Sequence, residues 1–193
     1  MRRSILDRAG YMSWRMAKRR MHALHLLRHA KSSWADDELD DHDRPLSKRG
    51  RRDAEAMARH LAAKAGTPDL VLSSTAARAR ATLAPLLERL KPRRILLDRD
   101  LYLAPGPALL EHLRRTDEQV GTALLIGHNP GLHELALLLA DPESPVDLPP
   151  LSGKFPTGAL ASFRFAPAWH RLKPHAATLM AYVTPRDLSD DRE

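Results

Sequence analysis

The stretch Leu24-His25-Leu26-Leu27-Arg28-His29-Ala30-Lys31-Ser32-Ser33-Trp34 decides how the chain folds. A short apolar run breaks off in Arg-His, followed by small and hydroxyl residues. Leu24–Leu27 has apolar residues on both faces, the pattern of a strand in the middle of a parallel sheet. In an open α/β domain, ligands sit beyond the C-terminal ends of the strands. Arg28 and His29 therefore arrive there side by side, able to hold an anion and to attack it. Arg-His alone is a common dipeptide. Its weight comes from Arg78 and His128, which occupy equivalent places on other strands.

Asp69-Leu70-Val71-Leu72-Ser73 reads as a second buried strand, with Ser74 and Thr75 as candidate caps for a helix from Ala76 to Leu90. Arg78 falls in the first turn of that helix, where a guanidinium beside unpaired N–H groups makes a phosphate site. Arg80 is expected in solvent. Ile95-Leu96-Leu97 reads as a third strand, followed by Asp98-Arg99-Asp100-Leu101-Tyr102 and a Pro-Gly-Pro turn into a helix carrying Leu109, Leu110 and Leu113. Ala123–Ile126 is a fourth, buried strand running into Gly127-His128-Asn129-Pro130-Gly131. Asn129 reads as an N-cap and Pro130 as the first helical residue, with Leu132, Leu135, Ala136 and Leu139 as the buried stripe. His128 then lies in the strand-to-helix turn.

Between these turns, residues 35–43 (ADDELDDHD) form an acidic loop, read as solvated surface rather than as a cation site. Ser47 caps a helix whose apolar stripe is Ala54, Met57, Ala58, Leu61 and Ala62, ended by Gly66-Thr67-Pro68. Residues 141–156, with prolines at 142, 145, 149, 150 and 156, read as a long rigid loop over the site. Ala159 to Phe165 alternates as a half-buried strand nearer an edge, and Ala177–Val183 is a final strand. His22, His25 and His29 do not read as a metal site, because strand geometry sends His22 and His25 to opposite faces. Alternating strands and helices predict a doubly wound α/β fold: three layers, a mostly parallel sheet and helices on both faces. We place it at residues 21–185, between a basic extension (1–20) and a charged tail (186–193).

Composition narrows the function classes. The chain has no cysteine, which excludes thiol nucleophiles and thiolate metal sites and fits a cytoplasmic protein. The net charge of +7 is concentrated in residues 1–20, where seven basic residues face Asp7 alone; the rest of the chain carries +1. Nucleic-acid binding is therefore not expected of the domain. Residues 1–20 lack the apolar centre of a secretory signal, and no apolar run is long enough to span a bilayer. Met21 is the expected start of the working protein, and an intact mass beginning at residue 1 or 2 would contradict that.

Two arginines and two histidines suit a tetrahedral phosphoryl group. Arginine matches phosphate oxygens bidentately, phosphoryl transfer depends on positioning and charge stabilisation, and neutral imidazole is a competent nucleophile. The motifs LHLLRHAKSSW, DRPLSKRG, DLVLSSTAARARAT, DLYLA, LLIGHNPGLHELA and PTGALA, in this order from about Met21 to Tyr182, together resemble the histidine phosphatase superfamily, most nearly its SixA-type phosphohistidine phosphatases. The resemblance implies the phosphoglycerate-mutase-like fold, with His29 as nucleophile, Arg28 and Arg78 on the phosphate, and His128 on the transferring group. It implies no metal and no cofactor, and a phosphohistidine enzyme hydrolysed by water.

The match falters at the general acid. Larger members place a glutamate before an aromatic residue; this sequence offers Asp98 and Asp100 there, with Asp43 as a further candidate. Imidazole departs near a pKa of about 6.5 and needs little protonation, whereas an alkoxide requires a general acid. The sequence thus favours phosphohistidine on a protein as substrate. The alternatives are a small phosphomonoester, or a non-catalytic phosphate-binding regulatory module.

Overall fold

The computed structural model describes residues 21–146, 148–166 and 168–189. The basic extension and the last residues of the tail lie outside them. Among the described residues, six strands form one sheet: β1 (His22–Arg28), β2 (Leu70–Ser74), β3 (Arg94–Asp98), β4 (Thr122–Gly127), β5 (Leu160–Phe165) and β6 (Thr178–Val183). Their order is β3-β2-β4-β1-β5-β6. The β3-β2-β4-β1 block is parallel, and β5 alone runs against the rest.

The central strands are apolar on both faces because both faces are covered. Leu24 and Leu26 of β1 join Ala123 and Leu125 of β4 in one core, with α3 (Gly106–Arg114) and α4 (Gly131–Leu139) above them. Leu27, Leu124 and Ile126 face the other way, onto α1 (Lys48–Lys64) and α2 (Ala77–Leu90). This three-layer α/β arrangement is the expected fold.

Most local expectations fit, and the exceptions have physical reasons. Ser47 caps α1 by accepting from Gly50 N at 3.0 Å. Ala54, Met57, Ala58 and Leu61 are buried, but Ala62 is exposed because the contact stripe ends at Leu61. Neither Ser74 nor Thr75 caps α2, which begins after Ala76 without a side-chain cap. Ser74 Oγ is used instead by Ala76 N and by His128. Asn129 does not cap α4 either: its side-chain amide donates to Phe155 O at 3.0 Å, and the helix starts at Gly131. Residues 141–156 are not one long loop over the site. They include a short helix, α5 (Pro149–Gly153), and Leu151 and Phe155 are buried in the core. The strand from Ala159 lies inside the sheet, between β1 and β6. Among the described residues, no helix is long and apolar enough to cross a membrane.

One close approach locks the loop after β1 in place. Ser47 donates through its backbone N (2.9 Å) and Oγ (3.1 Å) to Lys31 O. Gly50 packs so near that a β-carbon there would lie 2.0 Å from the same oxygen. Gly50→Ala should therefore lower stability by about 1–3 kcal/mol in urea unfolding, although alanine is the better helix former by about 1 kcal/mol. A stabilised variant would contradict this contact.

Candidate active site

The parallel strands deliver their C-terminal ends to one cavity of about 240 Å³ whose lining includes Arg28, His29, Asp41, Arg44, Arg78 and His128. The backbone at the end of β1 is pinned on both sides. Arg28 N donates to Ala159 O at 3.0 Å and His29 N to Gly127 O at 3.1 Å. Thr82 in α2 accepts from Ala30 N at 3.0 Å and donates to Arg78 O at 2.7 Å, tying the first turn of α2 to the β1 turn. Arg78 Nε then lies 3.3 Å from His29 Nε2. The rings of His29 and His128 are 5.0 Å apart between centroids. The structure thus brings together all four residues singled out in the sequence, although they come from three segments.

The tautomer of His29 follows from its partners. Nδ1 lies 2.8 Å from Ala30 O, and a carbonyl can only accept, so Nδ1 carries the proton. Nε2 keeps its lone pair and faces the Arg78 guanidinium. Burial, with Arg78 and Arg28 close by, holds the His29 pKa down at about 4. His128 is held at about 3 by burial, the His29 ring and Arg78. Its Nε2 is hydrogen-bonded to Ser74 Oγ at 2.8 Å. Arg28 donates to Phe155 O at 2.7 Å, and burial and Arg78 lower its pKa. Among the described residues, His128 Nδ1 and Arg28 Nε are buried with no hydrogen-bond partner, which leaves both available to the oxygens of an anion.

The acidic loop supplies a residue that the sequence reading passed over. The Asp41 carboxylate accepts from Arg78 at 2.8 Å and from the Tyr102 hydroxyl at 2.6 Å. Tyr102 and Arg78 hold its pKa below the ordinary carboxylate range. Arg44 donates to the same carboxylate at 3.3 Å and stacks on the exposed Trp34 ring. Tyr102 also packs edge-on against His128, 5.2 Å between centroids. Asp41 is 37 residues from Arg78 and 61 from Tyr102, so no local spacing could reveal these pairs.

The carboxylates considered as general acids lie elsewhere. Asp98 caps the turn after β3 by accepting from Asp100 N at 2.8 Å, and its other oxygen is 3.7 Å from His112. Neither Asp98 nor Asp100 lines the cavity, and Asp43 is turned to His42 at 3.0 Å. The N-terminal histidines diverge as strand geometry requires. His22 is hydrogen-bonded to Val120 O and stacks on Phe165, while His25 meets Ser162 Oγ.

Comparison with known proteins places this geometry in context. The family model for the histidine phosphatase superfamily (branch 1) matches residues 24–102. An uncharacterized protein of Mycobacterium tuberculosis is 39% identical over 163 residues, covering 83% of this chain and all of that one. Two solved structures are assigned as phosphohistidine phosphatase SixA. The one from Agrobacterium tumefaciens is 30% identical, with a TM-score of 0.71, over 85% of this chain and 98% of that one. The one from Nakamurella multipartitia is 29% identical, with a TM-score of 0.75, over 86% and 96%.

The buried imidazoles make stability depend on pH. His25, His29 and His128 are neutral in the fold, with pKa values of about 4, about 4 and about 3. In the unfolded chain they take up protons near the ordinary value of about 6.5. The unfolded state therefore binds more protons between these values, and stability falls as pH drops from about 6.5 towards 4, by up to about 3 kcal/mol per histidine. Urea unfolding at pH 7.5 and pH 4.5 should show this loss, and His25→Gln should reduce it. Equal stability at the two pH values would contradict the neutral burial of these rings.

Proposed function

The chain belongs to the histidine phosphatase superfamily and is a phosphatase, and on that premise we propose that it removes phosphate from phosphohistidine on a protein through a phosphorylated His29. The observation that carries this reading is the fixed tautomer of His29: Nδ1–H is committed to Ala30 O, and the Nε2 lone pair lies at the cavity, where it accepts from Arg78 Nε.

In the proposed reaction, Arg28 and Arg78 hold the phosphoryl oxygens, and His128 donates to one of them from across the cavity. Arg78 Nε–H exchanges His29 Nε2 for a phosphoryl oxygen, and the freed Nε2 lone pair attacks phosphorus in line as the P–N bond to the substrate imidazole breaks. With the far nitrogen of that imidazole protonated, the leaving group departs as a neutral ring. Water then attacks phospho-His29, inorganic phosphate leaves with the electron pair of the P–Nε2 bond returned to His29, and the resting tautomer is restored. As charge builds on the transferring oxygens, guanidinia already lining the cavity meet it.

The carboxylate inventory favours phosphohistidine over an alkyl phosphate. Among the described residues lining the cavity, Asp41 is the one carboxylate, and Tyr102, Arg78 and Arg44 keep it ionised. An ionised carboxylate cannot protonate an alkoxide. Its role here is to orient Arg78, which it grips at 2.8 Å.

Brief exposure to phosphoramidate followed by acid-free denaturation and mass spectrometry should place one phosphoryl group on His29. Turnover of a phosphohistidine protein should exceed that of alkyl phosphates by at least about 10²-fold, the usual worth of a general acid. His29→Ala should reduce turnover by several orders of magnitude. Faster turnover of alkyl phosphates would instead favour a small phosphomonoester as substrate. Unchanged turnover in His29→Ala would remove the nucleophile assignment.

A further inference from the structure

The phosphate hollow is polar at its floor, and its apolar lining stands at the mouth. His29, Arg78 and His128 are buried. Among the described residues that line the same cavity, only Trp34 and Leu103 are apolar, and they are 68% and 48% exposed. Single exposed apolar residues are ordinary on a protein surface. These two differ because the surrounding structure holds each of them in place.

Trp34 is fixed from behind. The Arg44 guanidinium stacks on one face of the indole. Arg44 is 5% exposed and is itself anchored, donating twice to Ser33 O (2.8 and 3.1 Å) and once to Asp41 at 3.3 Å. The neighbouring Ser33 N donates to Pro45 O at 2.8 Å. An arginine almost wholly out of water thus immobilises an indole that is mostly in it, and the other face of that ring is left open.

Leu103 is held by its backbone, which is left-handed at φ +53°, a region that residues with a β-carbon seldom enter. Its neighbours impose the conformation. Tyr102 is tied through its hydroxyl to Asp41 at 2.6 Å, and the Ala104 carbonyl occupies the space where Gly131 lacks a side chain. Glycine would satisfy this dihedral without strain, yet the chain keeps a leucine side chain at the mouth. Strained positions of this kind cluster at ligand sites.

We propose that Trp34 and Leu103 form a ring-binding subsite: with the phosphoryl group on the arginines, the imidazole of the substrate's phosphohistidine lies against the open face of Trp34 and the side chain of Leu103. The inference rests on the reading of the site given above and names what that site recognises beyond phosphate. A flat imidazole gains by stacking on an indole and leaving water. A hydroxylated leaving group would exchange water for an indole face and a leucine, neither of which returns a hydrogen bond. Because Arg44 already fixes the indole, little side-chain freedom is lost on contact.

Steady-state turnover of phosphohistidine and of phosphoramidate tests this, since both carry phosphorus on nitrogen and only the first has a ring. In Trp34→Ala, kcat/KM for phosphohistidine should fall at least about tenfold, the scale of one aromatic stack. The loss should lie in KM, with kcat little changed, and should exceed the loss on phosphoramidate at least about fivefold. Trp34→Phe should recover most of it. Leu103→Gly, which suits the left-handed backbone, should lower kcat/KM about threefold with the same bias towards phosphohistidine. If circular dichroism shows Trp34→Ala to be misfolded, Leu103→Gly decides. Equal losses on the two substrates, no loss on phosphohistidine, or a Trp34→Phe variant no better than Trp34→Ala would each overturn the ring subsite and leave the His29 chemistry standing. A native chain that turns over alkyl phosphates faster than phosphohistidine would overturn the reading of the site itself, and the subsite with it.

Discussion

A pair of guanidinia and a pair of imidazoles share one buried hollow, and everything around that hollow follows from keeping such a crowd of potential cations together. Arg28, His29, Arg78 and His128 are all largely out of water. Charging all four would be prohibitive in a low-dielectric site. The protein resolves the conflict by leaving the imidazoles neutral and concentrating positive charge on the arginines. One carboxylate, from Asp41, balances part of that charge at its outer rim. What remains is a net attraction for an anion with several oxygens, next to a ring nitrogen whose lone pair accepts from Arg78 Nε.

The sheet supports this arrangement. β1, β2 and β4 lie side by side and in parallel, so their ends deliver side chains to one place without long connections. Thr82 bridges the turn after β1 to the first turn of α2, and Gly50 lets α1 press against the Lys31 carbonyl. Each contact reduces the freedom of the loop that carries His29, and proton placement on that ring depends on Ala30 O holding still. Phe155 acts from the opposite side: its carbonyl accepts from both Arg28 and Asn129. The packing of α5 against the core is thereby linked to the orientation of the first arginine.

Much of this was legible in the sequence for a simple reason. Leu24–Leu27 and Ala123–Ile126 are apolar on both faces, so their burial is written locally, and the residues after them are bound to emerge at the same edge. Arg28, His29, Arg78 and His128 each stand at such an end or in the first turn of the next helix. Asp41 and Tyr102 stand nowhere special in the local pattern. Their pairing depends on how the acidic loop and the turn after β3 meet across the cavity mouth. Ser74 and Asn129 mislead in the opposite way: each has the chemistry of a helix cap, but a tertiary partner, His128 or Phe155 O, claims its side chain. The aspartates at 98 and 100 fit the expected region for an acid, yet the turn they occupy sets the Asp98 carboxylate on Asp100 N and beside His112, and neither residue lines the cavity.

The neutral, Nδ1-protonated state of His29 is the point on which the chemistry turns. Nitrogen-15 NMR of the histidine rings reads it directly. In the free protein at pH 6–7, His29 should show a protonated Nδ1 and an unprotonated Nε2, and this pattern should persist on acidification until about pH 4. A His29 ring protonated on both nitrogens at pH 6, or one carrying its single proton on Nε2, would contradict the account.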